Sequence, residues 1–258
     1  LHYSYSFGGE EYSLELNVSD QSRNYGQYTD SRVSSAGAYE RKVIIDVPES
    51  RGSVFPEIVL SYSSNNKGSS VVGKGWELSI PEIKRLNKHG TDAMFIHKDF
   101  YSPFDGELSE VANGRYVPKI ELGDFSEYTF ANNAWVVTKK NGTQIKFGST
   151  ENSRKTNSAS TSQTTAWFVD EIRDGDGNVV EYTYTSDSNQ IYIDTITYNG
   201  HEDVAGMYEI VFGRELRTDI STTSEQGFPV TTRYRVKDIQ ILIDGKLVKK
   251  YDLTFLTG

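Results

Sequence analysis

The chain has 258 residues, a formal net charge of −9 and no cysteine. That length suffices for one large all-β domain or two smaller ones, with a hydrophobic core that is large enough to be stable without covalent cross-links. The lack of cysteine excludes disulfides, cysteine-ligated metal sites and a catalytic thiol. The acidic balance argues against a nucleic-acid partner, which needs clustered Lys and Arg. No apolar run reaches membrane-spanning length, so we expect no membrane span.

Aromatic and β-branched residues dominate the periodic segments. The chain contains 17 Tyr and 12 Phe but two Met. Apolar residues alternate with period two, and the 3.6-residue spacing of an amphipathic helix is not sustained. The composition therefore predicts an all-β fold of antiparallel hairpins and a meander. A segment of a β shell and a β-sandwich both fit this pattern.

The N-terminal stretch, residues 1–36, reads as an irregular segment rich in Ser, Tyr and Gly. One strand is predicted within it, where Tyr12, Leu14 and Leu16 alternate with polar residues. Residues 21–35 resemble an extended loop or a segment draped over another domain.

A β-type segment with a glycine-rich turn follows. One strand ends at Val47-Pro48, and a second runs through Ile58–Tyr62. A polar loop then closes on Gly73-Lys74-Gly75-Trp76. Glycine permits backbone angles or a close approach that a Cβ would block. Trp76 supplies a large apolar surface beside the turn, which predicts a core position.

These elements occur in an order that resembles the SpvB/TcB family, which includes the plasmid virulence B protein of Salmonella and the B component of insecticidal Tc toxins. The similarity rests on a glycine-aromatic start, a Val-Pro strand end, a Pro-initiated strand and a Gly-x-Gly-Trp turn. In this chain they read Gly37-Ala38-Tyr39, Val47-Pro48, Pro56–Tyr62 and Gly73–Leu78. Ile58 and Ser63 depart from the usual leucine and asparagine.

Residues 37–148 form the predicted SpvB-like β domain, which continues as a meander. The predicted strands are 93–97, 115–117, 128–130 and 135–138. A turn is expected at 101–106, where proline and glycine favour the required angles. Asn141-Gly142 between alternating apolar residues predicts a hairpin.

The next stretch, residues 149–165, is rich in Ser, Thr and Asn and is predicted to be a flexible loop. Residues 166–258 are predicted to form a hairpin-repeat region packed with the preceding part. Its turns are placed at 174–178, 198–200 and 243–245. These hairpins resemble those of Rhs/YD-repeat proteins, which coil into a hollow β shell. The last strand, around Leu253 and Phe255, is expected to leave an open edge.

The segment Asp174-Gly-Asp176-Gly-Asn178 has side-chain oxygens at alternate positions, as a calcium loop does. An EF-hand also needs glycine at its sixth position and glutamate at its twelfth. Val179 and Thr185 stand there instead, so Asx-Gly turn chemistry explains the residues better.

The sequence indicates no catalytic, cofactor-binding or metal residue, and no cofactor. The four histidines, His2, His89, His97 and His201, are scattered and lack a metal-ligand spacing. A nucleophile elbow and a phosphate loop are also missing, and the Gly73–Gly75 turn lacks the spacing of a dinucleotide site.

The family resemblance implies a non-enzymatic structural module of a toxin-related or virulence-related secreted bacterial protein. Such a module would open a β shell that carries or presents a C-terminal effector. Its partners would be downstream shell or toxin domains of the same or an associated chain, and its location the exterior or the bacterial cell surface. An extracellular module that binds carbohydrate or a host protein through Tyr and Trp is the alternative. A β-sandwich or barrel hydrolase is a third hypothesis, although nothing singles out a carboxylate pair.

Overall fold

The computed structural model describes residues 2–7, 10–20, 29–35 and 37–256. Within these ranges the protein consists of β-strands and one short 3-10 helix, without an α-helix. The described residues include no helical stretch of the length and apolarity that crossing a bilayer requires. The all-β prediction with antiparallel pairing is confirmed.

The strands fall into three groups along the chain. The N-terminal and motif strands are β1 (His2–Phe7), β2 (Glu10–Asp20), β3 (Thr29–Val33), β4 (Tyr39–Ile45), β5 (Ile58–Ser63), β6 (Ser69–Ser70), β7 (Gly73–Lys74), β8 (Trp76–Leu78) and β9 (Glu82–Arg85). The meander strands are β10 (Phe100–Ser102), β11 (Gly106–Ala112), β12 (Arg115–Pro118), β13 (Glu127–Ala131), β14 (Ala134–Thr138) and β15 (Gln144–Phe147). After the 3-10 helix Glu151–Ser153 come β16 (Arg154–Asn157), β17 (Ser160–Arg173), β18 (Asn178–Asp187), β19 (Gln190–His201), β20 (Tyr208–Thr223), β21 (Val230–Ile243) and β22 (Lys246–Leu256).

Eight antiparallel strands close into a barrel. Strands β9 to β15 pair in sequence order, and β17 pairs with both β15 and β9. Different parts of β17 make these contacts, since Trp167 faces Ile83 of β9 and Ile172 faces Ile145 of β15. The sequence predicted the meander strands but not this closure, because alternation within a strand does not identify a distant partner.

A long antiparallel sheet extends from the barrel. Its order runs β17, β18, β19, β20, β21, β22, β2 and β1. The last strand, β22, therefore lies between β21 and β2, with register pairs from Ser13–Leu256 to Asp20–Lys249. The expectation of an open edge at β22 is wrong, because an N-terminal strand that is distant in sequence covers that edge.

A smaller four-stranded sheet, β3-β4-β5-β8, packs against the long sheet. The Tyr251 hydroxyl accepts a hydrogen bond from the Asp46 amide at 3.1 Å, and Lys249 Nζ lies 2.9 Å from Asp46 Oδ2. The Tyr198 hydroxyl donates to the Pro48 carbonyl at 2.9 Å. Tyrosines of the long sheet thus satisfy main-chain groups just beyond β4, where the chain leaves the small sheet.

Aromatic side chains fill the barrel. Trp135 and Trp167 are fully buried, and their ring centroids lie 4.9 and 5.7 Å from that of Phe100. Because these residues belong to strands that are not all neighbours, the contacts cross the barrel interior. The indole N–H of Trp167 donates to the Asn133 carbonyl at 2.9 Å, which satisfies a buried donor.

Two local interpretations in the C-terminal half differ from the structure. The stretch 149–165, predicted to be a loop, contains the 3-10 helix, β16 and the start of β17, because main-chain pairing between β16 and β17 needs no apolar periodicity. Asn199-Gly200 lies inside β19 instead of at a turn. Asn199 (φ +66°) is the extra residue of a bulge opposite Val179 and Val180.

Two further differences concern the N-terminal segment and residues 93–97. The segment 1–36 contains β1 and β3 as well as the predicted β2. Residues 93–97 form consecutive turns, with hydrogen bonds from the amides of Ile96 and His97 to the Ala93 carbonyl. Met94 is buried whereas Ile96 is exposed, so the apolar run does not serve one face of a strand.

Candidate functional site

The glycine-rich motif forms a tight structural turn. Gly73 and Gly75 have φ angles of +103° and +77°. A Cβ on Gly75 would lie 2.7 Å from Tyr62 Cε2, a distance that would force a shift. Trp76 is 4% exposed and pairs with Tyr62 across β5 and β8. The sequence interpretation of this motif as a turn beside a core tryptophan agrees with this geometry.

The long sheet holds the same motif in place. The Val236 amide donates to the Val71 carbonyl at 2.8 Å. The Arg217 guanidinium donates to the Ser70 carbonyl and the Ser69 hydroxyl, and it forms an ion pair with Asp219 at 2.7 Å. Hydrogen bonding to Arg217 lowers the pKa of Asp219. Sequence reasoning did not identify Arg217, because its partners lie almost 150 positions earlier in the chain.

A cavity of about 660 Å³ lies between this motif and strands of the long sheet and barrel. Its lining includes Glu82, Lys84, Lys155, Phe168 and Tyr184. Lys155 Nζ lies 5.6 Å from the centre of the Phe168 ring. Burial lowers the pKa of Lys155, partly offset by the charge of Glu82. The volume of this cavity is in the range of small-molecule pockets. A single lysine with a lowered pKa does not by itself define a reaction.

The structure also brings together two histidines and an aspartate that the sequence left apart. His89, His97 and Asp99 each offer one ligand atom, and these atoms all lie within 4.8 Å of one another. The two imidazole centroids are 4.1 Å apart, and His89 Nε2 lies 3.4 Å from Asp99 Oδ2. Sequence reasoning missed this cluster because a strand over residues 93–97 would carry His97 away from His89.

The acidic turn at Asp174 is explained by hydrogen bonds within the protein. Asp174 Oδ1 accepts the main-chain amides of Asp176 and Asn178 at 3.0 and 2.8 Å. Its Oδ2 accepts the Ser53 hydroxyl at 2.8 Å and the Asn178 side-chain amide at 2.9 Å. Burial raises the pKa of Asp174, but the hydrogen bonds from Asn178 and Ser53 outweigh it and lower the pKa to about 2. Both oxygens are engaged by protein donors, which favours the turn over a calcium loop.

The sequence matches a known protein family over most of its length. The family model of SpvB, the Salmonella virulence plasmid 65kDa B protein, matches residues 33–113 and 107–209. The chain belongs to this family. The membership confirms the resemblance inferred from the motif between Gly37 and Leu78. No protein with a curated description matches the chain.

Solved structures show the same fold at low sequence identity. The N-terminal domain of the effector SpvB from Salmonella typhimurium strain LT2 is 17% identical, with a TM-score of 0.69, and the match covers 84% of this chain and 98% of that one. TcdB2-TccC3 is 17% identical with a TM-score of 0.71, covering 86% of this chain. The Photorhabdus luminescens Tc holotoxin pore is 17% identical with a TM-score of 0.64, also covering 86%.

The extent of these matches differs between the relatives. The chain corresponds to nearly all of the SpvB N-terminal domain but spans only 14% of the TcdB2-TccC3 chain and of the holotoxin chain. The fold of this SpvB-family module is therefore found both as an N-terminal domain of an effector and within a much larger toxin chain.

Proposed function

We propose that this SpvB-family chain is a non-enzymatic structural module of a secreted or surface-located bacterial protein. It opens a β shell that carries or presents a C-terminal effector. Its partners are the downstream shell or toxin domains, in the same polypeptide or in an associated one.

The observation that carries this proposal is the occurrence of the fold in two settings. It makes up an N-terminal domain of the effector SpvB, and it forms 14% of the TcdB2-TccC3 chain. A module that recurs beside much larger regions of toxin proteins suits a role in assembly better than an independent activity.

The sheet geometry supports the same role. The barrel closes one end of the connected strands, because β17 pairs back onto β9. At the other end, β1 pairs with β2 alone among the described strands. An antiparallel sheet can be extended only where a strand has unpaired main-chain groups. The margin at β1 is therefore the place where a neighbouring strand of a shell would add, which replaces the expectation that β22 serves this purpose.

The binding-module alternative loses its strongest residues. All three tryptophans, Trp76, Trp135 and Trp167, are buried in the core. A stacking platform for sugars needs an exposed aromatic face, so these side chains do not provide it. We therefore propose no glycan-binding function.

The test uses the complete gene product and a version that lacks residues 1–258. Both are treated with a nonspecific protease, and cleavage of the downstream region is followed over time by mass spectrometry. If the module forms the first part of a shell and closes it, the protease should cleave the enclosed effector segment faster in the protein that lacks the module. Equal cleavage rates in the two proteins, or a gene that encodes nothing beyond this module, would refute the role.

A further inference from the structure

The loop between β9 and β10 places three potential metal ligands on the rim of the barrel. His89 follows β9, His97 ends a series of turns, and Asp99 immediately precedes β10. The Leu86 amide donates to the Asp99 carbonyl at 2.9 Å, and Arg85 Nη1 donates to the His97 carbonyl at 3.0 Å. Both ends of the loop are thus fixed to the barrel, so the three side chains project from an anchored segment.

The distances between the ligand atoms of the cluster suit a small cation with tetrahedral coordination. Zinc–nitrogen and zinc–oxygen bonds of about 2.0–2.2 Å place neighbouring ligand atoms roughly 3.3 Å apart in a tetrahedron. His89 Nε2 and Asp99 Oδ2 are already 3.4 Å apart. The ligand atoms lie within 4.8 Å of one another, so metal binding would require the longer separations to shorten, and both imidazoles are exposed and have room to move.

The surrounding charges leave one oxygen of Asp99 for a metal. Lys88 Nζ lies 3.7 Å from Asp99 Oδ1, on the oxygen that does not face His89. Lys88 makes its shorter contact with Glu107, at 2.6 Å. Lys88 therefore lies on the side of the carboxylate that faces away from the site, where groups behind metal ligands commonly lie, and Glu107 is shared between Lys88 and Lys119.

We propose that His89, His97 and Asp99 form a binding site for a divalent transition metal, with Zn²⁺ as the expected ion. Two imidazoles and one carboxylate are a ligand set for zinc and related ions, whereas calcium and magnesium prefer oxygen ligands alone. Three protein ligands leave one coordination position for water or an exogenous group. The bound metal would link the two ends of the β9–β10 loop on the barrel rim.

The test is Zn²⁺ titration of the untagged 258-residue chain by isothermal calorimetry after treatment with a chelator. The variants are His89→Gln, His97→Gln and Asp99→Asn. The matched control is His201→Gln, because His201 is also exposed but lies outside the cluster. We expect one Zn²⁺ per chain, at least about tenfold weaker binding in each cluster variant, and wild-type binding in the control.

A second measurement separates metal binding from folding. Co²⁺ replaces Zn²⁺ and gives visible absorption bands whose intensity reports coordination number, and metal-free melting temperatures show whether each variant is folded. The proposal is supported if the bands of a low-coordinate site appear in wild type and His201→Gln but not in the His89→Gln/His97→Gln double variant. Lack of saturable binding to wild type, or binding that the double variant retains, would overturn it.

Discussion

Tyr62 and Trp76 face each other across paired strands, with ring centroids 5.4 Å apart. Both side chains are buried, and both belong to the motif that resembles the SpvB/TcB family. The ring of Tyr62 also fills the space that a side chain on Gly75 would need. The glycine and the two aromatic residues of this motif are therefore linked by packing.

Truncation of Trp76 tests this packing role. We expect Trp76→Ala to lower the free energy of unfolding by about 3–5 kcal/mol, the usual cost of removing a core tryptophan. Phe55→Ala is the control, since Phe55 is 59% exposed and should change stability by no more than about 0.5 kcal/mol. Urea unfolding followed by circular dichroism measures both. An unchanged midpoint in Trp76→Ala would contradict the core assignment.

Alanine substitutions at two glycines with the same φ angle distinguish the cost of a steric clash from the cost of a positive φ angle. Gly75 and Gly37 both have φ of +77°, but an added Cβ meets Tyr62 only at Gly75. Alanine at a positive φ costs about 1–2 kcal/mol, and forced contacts in a packed site cost a further 1–3 kcal/mol, roughly. We expect Gly75→Ala to be more destabilising than Gly37→Ala by that second amount. Equal losses of stability would show that the site near Tyr62 can relax.

The hydrogen bonds of Asp174 predict a loss of stability in acid. Its folded-state pKa is lowered to about 2, against about 3.9 for an unperturbed aspartate. The stabilisation is thus fully present above pH ~4 and is lost as the pH falls toward ~2. The difference in unfolding free energy between wild type and Asp174→Asn should shrink over that window. Asp176→Asn is the control, because the structure shows no hydrogen bond to that exposed carboxylate among the described residues.

Lys155 also makes stability rise with pH, but in the alkaline range and through a destabilising charge. Burial lowers its pKa, so the folded state disfavours the charged amine that the unfolded chain holds until about pH 10.4. Lys155→Met should therefore raise the free energy of unfolding at pH 7, and the gain should decrease as the pH approaches ~10.4. Lys84→Met, an exposed lysine on the same cavity, serves as the comparison. Destabilisation by Lys155→Met at pH 7 would show that the ammonium has a compensating partner.

The position of β2 predicts how the N-terminal strands protect β22. Removing residues 1–20 deletes β1 and β2 and exposes the main-chain groups of β22 that now pair with β2. Amides that lose their strand partner exchange with solvent faster, so β22 amides should show faster hydrogen exchange in this truncated chain. Removing residues 1–9 deletes β1 alone and leaves β22 covered, so the same amides should stay protected. Equal exchange rates of the β22 amides in the two truncated chains would argue against the β2–β22 pairing.

Local chemistry was enough to predict much of this protein. Alternating apolar residues gave the all-β class and most strands after Gly37, since strand periodicity is a property of neighbouring residues. Asn141-Gly142 and Asp244-Gly245 gave their hairpins, because those residues tolerate the positive φ angles that tight turns require. The order of motifs from Gly37 to Leu78 gave the family, which the family match confirms.

Closure of the barrel, the cover on β22 and the cluster of His89, His97 and Asp99 needed the folded chain. The first two depend on pairing between strands far apart in sequence, where periodicity gives no partner. The cluster lies within eleven consecutive residues, but it depends on turns at 93–97 that an apolar run does not reveal. Burial of Met94 and exposure of Ile96 accompany those turns, and which of the two side chains is buried depends on packing between segments that are distant in sequence.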